Sequence, residues 1–132
     1  MKTISTDRAP LPVGPYSQSI LTEVGNHLFI SGQLGLERSG KIVRSGVGAE
    51  AKQVLINLEA IIASAAMEKN NIVKTTIFLK NMSDFSVVND VYESFFGVHK
   101  QARSTVEASN LPKRGLIEIE DIAVKEINIH LR

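Results

Sequence analysis

The sequence predicts an α+β fold, a single mixed sheet carrying two long helices on one face. Three observations predict it. Apolar residues advance by threes and fours from Ala49 to Lys69, a second helical stripe runs up to Gly97, and β-branched or alternating runs flank both. The order β-β-α-β-α-β-β packs as helices laid on a sheet. Such a sheet keeps one face uncovered, so a symmetric oligomer that buries that face is expected. The 132 residues, 43% apolar and 22% charged, have a globular mix of the size of one domain, read here as residues 1–132.

The first 48 residues read as extended chain and turns. Pro10, Pro12 and Pro15 with Gly14 forbid a helix there. Ile20-Leu21 and His27 to Ser31 read as two short strands joined by a turn at Gly25-Asn26. The first helix carries Ala51, Val54, Leu55, Leu58, Ile61, Ile62 and Ala65 on one stripe and is expected to end at Asn70-Asn71. Val73 to Leu79, nearly continuous in apolar character, reads as a central strand. The second helix starts at Ser83 or Asp84, either able to cap it, and carries Phe85, Val88, Tyr92, Phe95 and Phe96 up to a stop at Gly97. Arg103 to Ser109 alternates, with Arg103, Thr105 and Glu107 on one face. Leu116 to Lys125 alternates with a change of phase after Ile119, which predicts a bulge or a strand passing from a wet pocket to the core.

Composition excludes several chemistries. There is no cysteine, which removes disulfides, thiolate metal sites and a thiol nucleophile. His27, His99 and His130 lie far apart without ligand spacing, so no metal is expected. No phosphate-binding glycine loop and no G-x-S-x-G elbow occurs. A net charge of +1 sets up no general attraction to nucleic acid. Lys100, Arg103, Lys113 and Arg114 make a basic cluster around the last hairpin, but no aromatics interleave with it to stack bases. The N-terminus shows no signal-peptide core and no uncharged run is long enough to span a bilayer, so the protein reads as cytoplasmic.

Four polar features carry possible chemistry. Tyr16 sits in the rigid turn Gly14-Pro15-Tyr16, either presenting its phenol or packing its ring on the core. Arg103 opens a strand, either clamping a carboxylate bidentately or standing solvated. Glu118 and Glu120 share a strand face, either as a general base and its neighbour or as the wet side of a sheet. Asn89 lies inside the second helix, facing solvent or offering its amide to a ligand.

Five segments in order carry more specific information: Ala9-Pro10 with Gly14-Pro15-Tyr16-Ser17-Gln18; Ile30-Ser31-Gly32-Gln33; Ile72 to Leu79; Val88-Asn89-Asp90-Val91-Tyr92-Glu93-Ser94-Phe95-Phe96; and Ala102-Arg103-Ser104 with Leu111-Pro112-Lys113 and Ile117-Glu118-Ile119-Glu120. Together they resemble the RidA/YjgF family of reactive imine/enamine deaminases over nearly the whole chain. The resemblance implies a chorismate-mutase-like subunit, a homotrimer with clefts between subunits, and no cofactor. It implies hydrolysis of small 2-iminoacids, such as 2-aminoacrylate and 2-iminobutyrate, to 2-ketoacids and ammonia. Arg103 would hold the substrate carboxylate and Glu118 would position or activate water. Tyr16, Ser31 and Asn89 would line the pocket, and the backbone at Thr105 would touch substrate. Three features depart from the family pattern: Thr105 stands where cysteine is common, the segment before Arg103 is short and lacks Phe-Pro, and residues 126–132 extend the chain with an alternation that suggests added edge strand. A ligand-binding or regulatory member with little turnover, or an RNA-directed translation inhibitor with ribonuclease activity, are the competing classes.

Overall fold

The β-branched run forms the middle of the sheet. The computed structural model describes residues 2–5, 8, 15, 17–22 and 24–127. In it β4 (Ile72–Leu79) lies between β6 (Ile117–Glu126) and β5 (Ala102–Glu107), and β3 (Gly25–Leu34) completes a four-stranded sheet in the order β3-β6-β4-β5. The sheet is mixed: β4 runs antiparallel to β6 and parallel to β5. A parallel neighbour needs a crossover, and α2 (Phe85–Phe96) supplies it.

Alternation then decides which face is covered. Ile77 and Leu79 of β4 and Ile117 and Ile119 of β6 are fully buried against Val54, Leu58 and Ile62 of α1 (Val47–Ser64) and against Val88, Tyr92 and Phe96 of α2. Each fully buried aliphatic side chain contributes about 1.5–3 kcal/mol of transfer free energy. The opposite face carries Phe29, 72% exposed, with Val106 and Glu120 also exposed.

Several local expectations are corrected. The expected hairpin at Gly25-Asn26 does not form: both residues belong to β3, and β2 (Ser19–Leu21) pairs antiparallel with β1 (Lys2–Ile4). Gly25 is there for close approach, since a Cβ on it would lie 2.4 Å from the Lys125 carbonyl oxygen of β6. Helix α1 ends at Ser64, ahead of Asn70-Asn71. Ala66 turns left-handed (φ 58), the Met67 amide donates to the Ile62 carbonyl, and Met67 tucks into the core, the contact that goes with this kind of cap. Asn71 instead closes a separate 3-10 turn by accepting the Glu68 amide at 2.8 Å. Asp84 precedes α2 without a side-chain capping bond, and Gly97 (φ 61) ends it as expected.

The change of phase in β6 has a different origin from a break in that strand. Asp121 occupies the buried position between Ile119 and Ala123, so the alternation runs on to Ala123 with a polar residue in it and breaks only at Val124, which is buried beside Ala123. The bulges lie in the partner strands, where Ser31 and Gly32 of β3 together oppose Glu120, and where the β4 register slips between Ile72 and Lys74. The expected strand over 126–132 is described only to Ile127; residues 128–132 lie outside the described residues. No helix among the described residues is long and apolar enough to cross a membrane.

Candidate functional site

The candidate residues fall into two groups, one on each side of the sheet. Arg103 is the second residue of the edge strand β5 and pairs in register with Thr75, so it projects to the helix side. Its guanidinium lies 4.9 Å from the ring centroid of Tyr92 and 5.7 Å from that of Phe85, both on α2. Flat cations stack well on aromatic faces, and two rings restrain the direction of the fork. Asn89 lies four residues after Phe85 and three before Tyr92, on the same stripe of α2. Thr105 follows Arg103 on the same side of β5, with its hydroxyl buried and unpartnered among the described residues. Burial pushes the Tyr92 phenol well above its ordinary range, which keeps it neutral beside the arginine.

Glu118 belongs to the other side. It alternates with the buried Ile117 and Ile119 and pairs with Phe78, so it stands half-buried on the uncovered face. The β3 bulge comes up against it: a Cβ built on Gly32 would sit 2.7 Å from Glu118 Oε2 and 2.8 Å from its Cδ. Ser31, the neighbouring residue in the bulge, is exposed. Gly32→Ala is therefore expected to push the Glu118 carboxylate aside. On the reading of Glu118 given below, kcat falls by about tenfold or more while the melting temperature changes little, because the displaced group is the end of a flexible side chain. Parental kcat in Gly32→Ala would show that the carboxylate's position does not matter.

A third group escaped sequence reasoning. Asp121 Oδ1 accepts the Thr75 hydroxyl at 2.6 Å, and Thr75 Oγ1 accepts the Gln101 amide at 3.2 Å. All three side chains are buried beneath the helices. The available signal was the alternation itself, since Ile117, Ile119 and Ala123 mark 121 as a core-facing position. The basic cluster also regroups. Lys113 and Arg114 meet Lys41 and Arg44, where Arg44 donates to the Lys113 carbonyl at 3.0 Å, while Arg103 lies under α2 and Lys100 bonds the Gly97 carbonyl. Among the described residues no three His, Asp or Glu side chains converge as metal ligands. Tyr16 lies outside the described residues.

Arg103 and Glu118 do not meet within one chain. Arg103 is level with Thr75 and Asp121, while Glu118 lies two strands over and three residues along, on the opposite face. Strand spacings of about 4.8 Å and rises of about 3.3 Å place the two Cα atoms roughly 14 Å apart.

The fold defines the class of protein, a mixed four-stranded sheet backed by two helices. The family described as Endoribonuclease L-PSP matches residues 6–125. A RutC family protein of Pyrococcus horikoshii is 47% identical over 95% of this chain and 98% of its own. The 2-iminobutanoate/2-iminopropanoate deaminase of Bos taurus is 46% identical over 94% of this chain and 90% of its own. Among solved structures, the E. coli YjgF gene product matches with a TM-score of 0.73 at 43% identity, covering 96% of this chain and 100% of that one. E. coli TdcF, solved with bound serine, matches with a TM-score of 0.73 at 37% identity over 96% of this chain and 100% of that one. The chain belongs to this family, the RidA/YjgF family.

Proposed function

We propose that the protein hydrolyses small 2-iminoacids, of the kind represented by 2-aminoacrylate and 2-iminobutyrate, to 2-ketoacids and ammonia. The observation that carries this is Arg103: a guanidinium held on the rings of Tyr92 and Phe85 at a sheet edge, a ready fork for a planar carboxylate. The deaminase named among its relatives at 46% identity supports the substrate class.

The pocket forms between copies of the chain in a homotrimer, Arg103 of one subunit facing Glu118 of the next. Two features support this. The two side chains stand on opposite faces of one sheet, and the uncovered face carries exposed Phe29 and Val106. Arg103 pairs with the substrate carboxylate; Tyr16, Ser31, Asn89 and the backbone at Thr105 line the remainder. Glu118 takes a proton from water as its oxygen adds to the electrophilic imine carbon, forming a carbinolamine. That proton passes to nitrogen; Glu118 then takes the carbinolamine hydroxyl proton and hands it to the amine, the C–N bond breaks, and ammonia leaves as the carbonyl forms. An imine is already activated, so orientation and proton transfer suffice without a cofactor.

The test couples the protein to a serine/threonine dehydratase that generates the imine in situ. Faster ketoacid release is expected than with dehydratase alone, together with a light-scattering mass three times that of the 14.4 kDa chain. Pyruvate binding without faster release would favour a ligand-binding member instead, and a monomer mass would refute the shared pocket.

A further inference from the structure

The edge strand that carries Arg103 is pinned at its entry by side chains as well as by its ladder. Gln101, the residue before β5, is fully buried and tied twice. Its carbonyl accepts the Ser17 amide at 3.0 Å, and its side-chain amide donates to Thr75 Oγ1 at 3.2 Å. Thr75, also fully buried, donates its single hydroxyl proton to Asp121 Oδ1 at 2.6 Å. With Asp121 ionised, the chain of bonds has one direction, with Asp121 as terminal acceptor. It crosses from β6 through β4 to the start of β5, at the level of the sheet where Arg103 pairs with Thr75.

We propose that Asp121, Thr75 and Gln101 are positioning residues for Arg103: their hydrogen-bonded chain locks the first residues of β5 to the sheet and so aims the guanidinium from beneath Tyr92 and Phe85. This rests on Arg103 being the carboxylate clamp. An arginine has a long flexible stem, so where its fork points depends on where its strand begins. A fork displaced by about an ångström loses bidentate geometry while the charge remains. None of the three touches substrate; they act through Arg103.

The experiment measures dehydratase-coupled turnover and equilibrium pyruvate binding for Thr75→Val, Thr75→Ser and Gln101→Met, each alone and combined with Arg103→Ala. Thr75→Val keeps the shape and removes the hydroxyl, Thr75→Ser keeps the hydroxyl, and Gln101→Met keeps the length without the donor. Thr75→Val and Gln101→Met are expected to raise KM and the pyruvate Kd about tenfold, the worth of one well-placed hydrogen bond, with kcat nearly unchanged. Thr75→Ser is expected to restore parental values. In the Arg103→Ala background neither variant is expected to add a loss, because the residue they act through is gone. Should Thr75→Val fail to fold, Gln101→Met carries the same comparison with the Thr75–Asp121 bond intact. Parental KM and Kd in the single variants would overturn the proposal, as would an equal further loss in the Arg103→Ala background, the mark of a structural role only. A parent chain that binds no pyruvate would overturn the clamp itself, a result distinct from a binding parent with indifferent variants.

Discussion

Arg103→Ala is expected to lower kcat/KM for imine hydrolysis by about 30- to several-thousand-fold and to weaken pyruvate binding in parallel. Removing one partner of a charge-assisted pair in a partly desolvated cleft leaves the substrate anion without its counter-charge, a loss of roughly 2–5 kcal/mol. Through the transition-state relation that range gives the stated factor. Arg103→Lys is expected to recover only part. An ammonium restores the charge, but it neither forks onto two oxygens nor lies flat on the Tyr92 ring, 4.9 Å away in the parent. Glu118→Gln is expected to behave differently, lowering kcat while pyruvate binding stays close to parental, since it removes a proton acceptor and leaves the clamp. If Arg103→Ala binds pyruvate and turns over imine like the parent, the arginine is a structural cation stacked on α2.

Asp121→Asn is expected to remove a pH dependence of stability. Burial pushes the Asp121 carboxyl up to about 7; the Thr75 hydrogen bond opposes that rise and the neighbouring Glu120 charge adds to it. In the unfolded chain the same carboxyl titrates near 3.9. Between those values the folded state holds a proton that the unfolded state has lost, so stability falls as pH rises from about 4 to about 7 and is level above. Asparagine cannot ionise, yet its oxygen still accepts the Thr75 hydroxyl. The variant is therefore expected to match the parent near pH 4 and to exceed it near pH 8 by as much as about 4 kcal/mol, the free energy of raising a carboxyl's ionisation this far. Denaturant unfolding at both pH values, at one fixed protein concentration because assembly shifts apparent stability, checks it. A parent and variant with parallel pH curves would show that Asp121 ionises freely in the fold.

Much of the architecture was legible in the chain alone. The stripe Val54, Leu58 and Ile62, the β-branched run up to Leu79 and the stop at Gly97 are local signals, and the helices and the central strand formed around them, although α1 stops at Ser64, short of Asn70-Asn71. Periodicity works because a residue's neighbours three, four or two positions away share its face whatever the rest of the chain does. Arg103, Glu118 and Asn89 stood out in the sequence with their generic alternatives left open, and the resemblance gave them expected roles and added Ser31 and the backbone at Thr105. Turns were read less well. Gly25 looked like a hairpin signal and proved to be a strand residue that lets the Lys125 carbonyl come close, because a glycine needed for space and one needed for a turn look the same in sequence.

Only the tertiary structure decided which candidates share a face and which polar residues are buried. Arg103 and Glu118 project to opposite sides because strand order and register, set by contacts between distant segments, assign each residue its side. Gly32 against the Glu118 carboxylate and the chain from Asp121 through Thr75 to Gln101 arise where segments far apart in sequence come together. The sequence by itself therefore determined the elements and the types of chemistry they carry. Packing determined that the arginine and the carboxylate face opposite ways, for the physical reason that burial and facing belong to the whole sheet rather than to any one strand.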